Sequence, residues 1–202
     1  MPTPAVDDRG SAPGRDRATR DIARVAVFAA LIAALTLVPG LYLFGGAVPV
    51  TLQTLAVTLA GVLLGPRRGV LAVLTYLAMV VVGLPVASGF RGGLGVLAGP
   101  TGGFLVGFVP MVVVVGVLAA LALRRLRGAW LTAGLFGAGL AGIPALYVVG
   151  IAWLAAVLGV PLGTAAAMMA PFLVGDVAKA AVAAVVGSAV ARALPGVVGP
   201  GR

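Results

Sequence analysis

The chain of 202 residues contains no cysteine, no histidine and no glutamate. Without Cys and His there are no disulfides, no thiol chemistry and none of the usual transition-metal sites. Without Glu, a paired-carboxylate mechanism would have to join Asp176 to an acid of the N-terminal tail, because no acidic residue lies between Asp21 and Asp176. Charge of either sign is scarce: 9% of residues carry one, against roughly a quarter in an ordinary globular domain. Lysine occurs once, at Lys179, and the next residue is Ala180, so the GxxxxGK[ST] phosphate loop is absent. A G-x-S-x-G elbow is absent too, and serine is rare in the apolar segments. The chain lacks an ATP site, a cofactor motif and a nucleophile with its base. An enzyme is not expected.

What the chain does have is apolar length. Hydrophobic residues make up 61% of it, and several runs approach the about 20 residues that a membrane helix needs. The expectation is an all-α polytopic membrane protein, multi-pass in the plasma membrane. The 31 glycines and abundant alanine suit helices that approach closely within a bilayer. The net charge of +9 comes from arginines in short loops between apolar spans. It reads as orientation charge and attraction to membrane lipid, not as a nucleic-acid footprint. Residues 1–24, rich in Arg, Asp, Pro, Gly and Ser, read as a disordered cytoplasmic tail and not as a signal peptide. Residues 25–194 form the membrane domain, and 195–202 a short C-terminal tail.

Six spans are expected. The first starts at about Val25 and carries small residues at Ala26, Ala30 and Ala34, with Ala29 and Ala33 beside them. Such a stripe seats a helix at close range, either within the bundle or on a partner membrane protein. Breaks at Pro39-Gly40, Gly45-Gly46 and Pro49 precede the second span, about Val50 to Leu64, which opens with Thr51, Gln53, Thr54 and Thr58. Gln53 stands out because an amide in a membrane requires a partner. The Gly65-Pro66-Arg67-Arg68-Gly69 turn leads to the third span, about Val70 to Leu84. The Gly-rich stretch Pro85 to Phe104 holds Arg91, and its glycine density suggests close backbone approach. The fourth span covers about Gly102 to Leu123, the fifth about Trp130 to Leu158 with a break at Pro144, and the sixth about Ala170 to Leu194. Basic residues gather in the N-terminal tail and after spans two, four and six, so both termini are expected in the cytoplasm. Small-residue faces at Gly103/Gly107 and Ala183/Gly187/Ala191 would permit self-association into a homo-oligomer.

The stretch Pro171 to Lys179, PFLVGDVAK, organises the functional reading. Asp176 and Lys179 share one helix face, three residues apart. A lone charge there would cost about 2.5–3.5 kcal/mol on insertion scales. The pair either neutralises itself or forms part of a ligand site. On the expected topology it lies a turn or two below the outer surface, on the same side as Arg91 and the polar start of span two. Asp176 can accept hydrogen bonds, Lys179, Arg91 and Gln53 can donate them, and Tyr147, Trp153 and Phe90 can supply apolar walls. Two cations against one anion suit a ligand bearing a carboxylate.

VPVTLQTLAVTLAG (Val48 to Gly61), GLGVLAGPTGGF (Gly93 to Phe104) and PFLVGDVAKA (Pro171 to Ala180) resemble the signatures of the BioY family. These are biotin-specific substrate-binding (S) components of energy-coupling-factor (ECF) transporters. The resemblance covers about Ala23 to Leu194. It implies a six-helix S-component bundle that captures biotin from outside and works with a transmembrane coupling protein and cytoplasmic ATPases. It also implies that Asp176 and Lys179 bind the substrate and that the Ala26/Ala30/Ala34 stripe docks the coupling protein. The chain departs from common family patterns at Val174, where proline is frequent, and at Phe104, where tyrosine is frequent. Two other readings stay open: a solitary transporter or facilitator driven by a gradient, with Asp176 cycling a proton, and an S component for another vitamin.

Overall fold

A computed structural model describes residues 13–37 and 51–194. The expected breaks between Pro39 and Pro49, the first twelve residues and the tail from Pro195 lie outside the described residues. The elements are α1 (Pro13–Leu37), α2 (Gln53–Val81), α3 (Leu94–Ala98), α4 (Gly102–Arg125), α5 (Gly128–Leu158) and α6 (Leu162–Ala193). Four of them, α2, α4, α5 and α6, are long and apolar enough to cross a membrane. The helix α1 starts well before Val25, so residues 13–24 are helical where a disordered tail was expected. Asp21 in that stretch pairs with Arg68 at 2.8 Å.

The element α2 is continuous in sequence but not in direction. Gly65 has φ 76° and ψ −179°, a conformation that only glycine adopts freely, and Pro66 follows it. The chain turns back there. Gln53 Nε2 donates to the Tyr76 hydroxyl at 2.9 Å, whereas in a straight helix residues 23 apart would be separated by about 35 Å. The arms 53–64 and 66–81 are therefore antiparallel neighbours, and they correspond to the expected second and third spans. The vertex presses on α4: a Cβ on Gly116 would lie 2.5 Å from Pro66 N and 2.7 Å from its Cα. Only glycine fits at that crossing.

The elements α2, α4, α5 and α6 close into a ring through the contacts α2–α4, α4–α5, α5–α6 and α6–α2, and α1 packs on α2. Close approaches pair Gly103 with Trp153, Gly142 with Met111, Gly139 with Ala180, and Gly187 with both Val62 and Leu135. These pairs make successive helices alternate in direction. The small-residue faces at Gly103/Gly107 and Ala183/Gly187 are thus occupied inside the bundle by α5 and by the first arm of α2. The core is made of short aliphatics around Val112, Val115, Val57, Val73 and Leu135, all fully buried. The outside is also apolar: Leu71, Val82, Val148, Val174 and Val185 are more than half exposed. A core and a surface that are both apolar identify lipid as the surrounding solvent.

Two helices run further than the sequence suggests. Pro144 lies inside α5 without breaking it. The helix α6 begins at Leu162 and passes through Pro171, so Asp176 stands about 21 Å along a 32-residue helix. The lost amide at each proline is tolerated where neighbouring helices hold the chain in place.

Candidate functional site

A cleft, open on one side, lies between the start of the first arm of α2, the 85–101 loop, α4, α5 and α6. Its apolar side is formed by Val96, Phe104, Leu105, Phe108, Leu146, Met169 and Phe172. Its polar side comprises Thr51, Gln53, Thr54, Ser88, Arg91, Thr101, Tyr147, Asp176 and Lys179. One face can take hydrocarbon and the other can satisfy a compact polar group.

Asp176, 6% exposed, is the centre of the polar side. Its Oδ1 accepts from the Thr54 hydroxyl at 2.8 Å and from Lys179 Nζ at 3.0 Å. Its Oδ2 accepts from the Tyr147 hydroxyl at 2.8 Å. Three helical segments therefore converge on one carboxylate: the first arm of α2, α5 and α6. A carboxylate has about four lone-pair positions, so these three bonds leave one free. The i, i+3 pairing expected for Asp176 and Lys179 is present, and both belong to the cleft wall. The pair neutralises itself and lines the cavity.

Arg91 reaches the cleft from the loop. Ala87 and Arg91 exchange two backbone hydrogen bonds, at 2.9 and 3.3 Å, closing a tight turn. Arg91 Nε donates to Ser88 O at 3.1 Å. With Lys179 paired to Asp176, Arg91 is the uncompensated cation among the lining residues. The glycines of this loop serve its own folding. A Cβ on Gly92 would meet the Gly83 and Leu84 carbonyls, and Gly93 N donates to Val80 O at 2.6 Å.

Of the residues singled out by sequence, Asp176, Lys179, Arg91, Gln53 and Tyr147 come together in the cleft. Phe90 does not. It occupies the tip of the 87–91 turn with φ 55° and is 66% exposed, pointing away from the cavity. Trp153 is also outside: its indole N–H donates to Gly99 O at 3.0 Å and pins the loop to α5. The aromatic walls are instead Phe104, Phe108 and Phe172, with Phe104 edge-on to Tyr147 at 6.3 Å between ring centres. Sequence reasoning named Thr54 only as part of a polar face, and Tyr76 not at all. Tyr76 has no local signal, because its partner is on the other arm.

On α1, Ala29 and Ala33 face the core, whereas Ala26, Ala30 and Ala34 are exposed.

The site's chemistry is that of binding. Threonine and tyrosine hydroxyls bond a carboxylate that an ammonium also meets, and no group of three metal-ligating side chains occurs among the described residues. Comparison with known proteins points the same way. The sequence model of the BioY family matches residues 7–196. The chain is 45% identical over 185 residues to the biotin transporter BioY of Rhodobacter capsulatus, covering 87% of this chain and 95% of that one. It is 46% identical over 179 residues to the biotin transporter BioY of Rhizobium etli, covering 88% and 96%. Among solved structures, the S-component for biotin from an ECF-type ABC transporter superposes with a TM-score of 0.81 at 27% identity, covering 90% of this chain and 95% of that one.

Proposed function

The chain belongs to the BioY family, and from that premise we propose that it captures biotin at the cleft and delivers it across the membrane as the S component of an ECF-type transporter. The observation that carries this reading is the charge arrangement of the cleft. The cleft wall holds a closed Asp176–Lys179 pair and, besides it, one uncompensated cation, Arg91. Biotin has the complementary layout, a neutral ureido ring with two N–H donors and a carbonyl, then an alkyl tail ending in one carboxylate. Asp176 takes a ureido N–H through its open lone pair. Lys179 and the Gln53 amide reach the ring's polar atoms. The tail follows the phenylalanine wall, and its carboxylate meets Arg91.

In this reading the polypeptide crosses the plasma membrane six times, with the two arms of α2 as separate crossings and both termini in the cytoplasm. Support comes from the arginines: Arg67, Arg68, Arg124, Arg125, Arg127 and Arg192 belong to helix ends or to the Gly65 turn, at the pole opposite the cleft. The exposed face of Ala26, Ala30 and Ala34 is the docking surface for the coupling protein. Energy enters through the ATPases bound to that partner, since the chain has no phosphate loop.

Equilibrium binding of biotin to the detergent-purified full chain, with thiamine and riboflavin as competitors, tests the proposal. Saturable submicromolar binding that neither competitor displaces is expected. Absence of biotin binding, or displacement by another vitamin, would overturn it.

A further inference from the structure

Tyr76 has no place in the cleft wall. Its ring is fully buried on the second arm of α2, and a phenylalanine would fill the same volume without burying a hydroxyl. That hydroxyl accepts from Gln53 Nε2 at 2.9 Å and donates to Val86 O at 3.3 Å. Thr36, on α1, is a further polar neighbour. Each tie leads to a lining group. Gln53 is itself in the wall, and its Oε1 accepts from the Thr51 hydroxyl at 3.1 Å, so both ends of its amide are held. Val86 directly precedes Ala87, whose two backbone bonds to Arg91 close the cationic turn. One phenolic oxygen thus touches the arm that presents the amide and the loop that presents the guanidinium.

We propose that Tyr76 is the positioning residue of this site: without contacting substrate, its hydroxyl sets the Gln53 amide and the Arg91 turn in register with each other. The inference rests on the biotin reading for its binding arm only. Its physical basis is general. An untied amide or loop must be ordered when the ligand arrives, and that ordering is subtracted from affinity. Removing the hydroxyl also leaves the Gln53 N–H without its partner.

The experiment compares wild type, Tyr76→Phe, Gln53→Ala and the double variant, with two readouts. The first is biotin affinity. Tyr76→Phe is expected to weaken binding by about tenfold, and to add at most about twofold in the Gln53→Ala background, because much of the effect passes through that amide. The same tenfold loss in both backgrounds, or wild-type affinity in Tyr76→Phe, would overturn the proposal. The second readout is hydrogen exchange of the ligand-free protein. Tyr76→Phe is expected to speed exchange in residues 84–93 while leaving α4 and α5 unchanged. Unchanged exchange in 84–93 would overturn the loop tie, and faster exchange everywhere would reduce Tyr76 to a core residue. A wild-type protein that ignores biotin would sink the functional reading, and the exchange arm would still decide the positioning role.

Discussion

The two poles of the bundle use the same charged side chains in opposite ways. At the cleft pole three charges suffice, and two of them, Asp176 and Lys179, are buried against each other with side-chain exposures of 7% and 12%. At the other pole arginines are numerous and mostly exposed: Arg67, Arg124, Arg125 and Arg127 all face outward. Buried charge is costly to leave alone, so Asp176 and Lys179 are tied to each other, whereas Arg91 is exposed. Exposed charge is inexpensive and screened, so the arginines need only be present in number. The lesson is that position, not residue type, decides how much one substitution can do.

The strongest way to break this contrast is Asp176→Asn. It removes one member of the buried pair, leaves Lys179 uncompensated and takes the charge away from the bonds to Thr54 and Tyr147. We expect biotin affinity to fall by at least about a hundredfold, read by equilibrium binding. Wild-type affinity would remove Asp176 from the site. Arg91→Ala sharpens the picture within the cleft pole. Biotin is expected to bind the variant about tenfold more weakly, while an uncharged biotin amide binds variant and wild type alike. A tenfold loss for both ligands would place the carboxylate elsewhere. The smallest effect belongs to the opposite pole. Asp21→Asn breaks the partly exposed 2.8 Å pair with Arg68, and the expected stability loss is at most about 1 kcal/mol in denaturant unfolding, with biotin affinity unchanged.

Hydropathy alone identified the helical membrane class, and the lone acid and lone lysine both fall in the cleft wall. The Gly65-Pro66 turn was equally legible, because a Gly-Pro dipeptide between apolar runs is a strong local turn signal. What remained hidden was non-local. Phe90 and Phe104 look alike in sequence, yet a three-residue turn aims the first outward and the packing of α4 on α5 aims the second inward. The start of α6 was misplaced because Pro171 reads as a helix opening, although the helix already has two turns before it. The role of Tyr76 depends on a partner across a helical hairpin, beyond the reach of any periodicity. Chemistry written in rare residues shows in the sequence; geometry written in common ones does not.

The reversal at Gly65 also bears on how the protein is made. Arms of 12 and 16 residues are about 18 and 24 Å long as helices, each short of the roughly 30 Å hydrocarbon layer. The first carries Gln53, Thr54 and Thr58, whose exposure to lipid would be costly, and its amide is satisfied by the second arm. Neither arm is a good passenger for the insertion machinery by itself. Paired, with the glutamine bonded to the tyrosine, the two arms satisfy each other, so the hairpin and not either arm is the unit that lipid can accommodate.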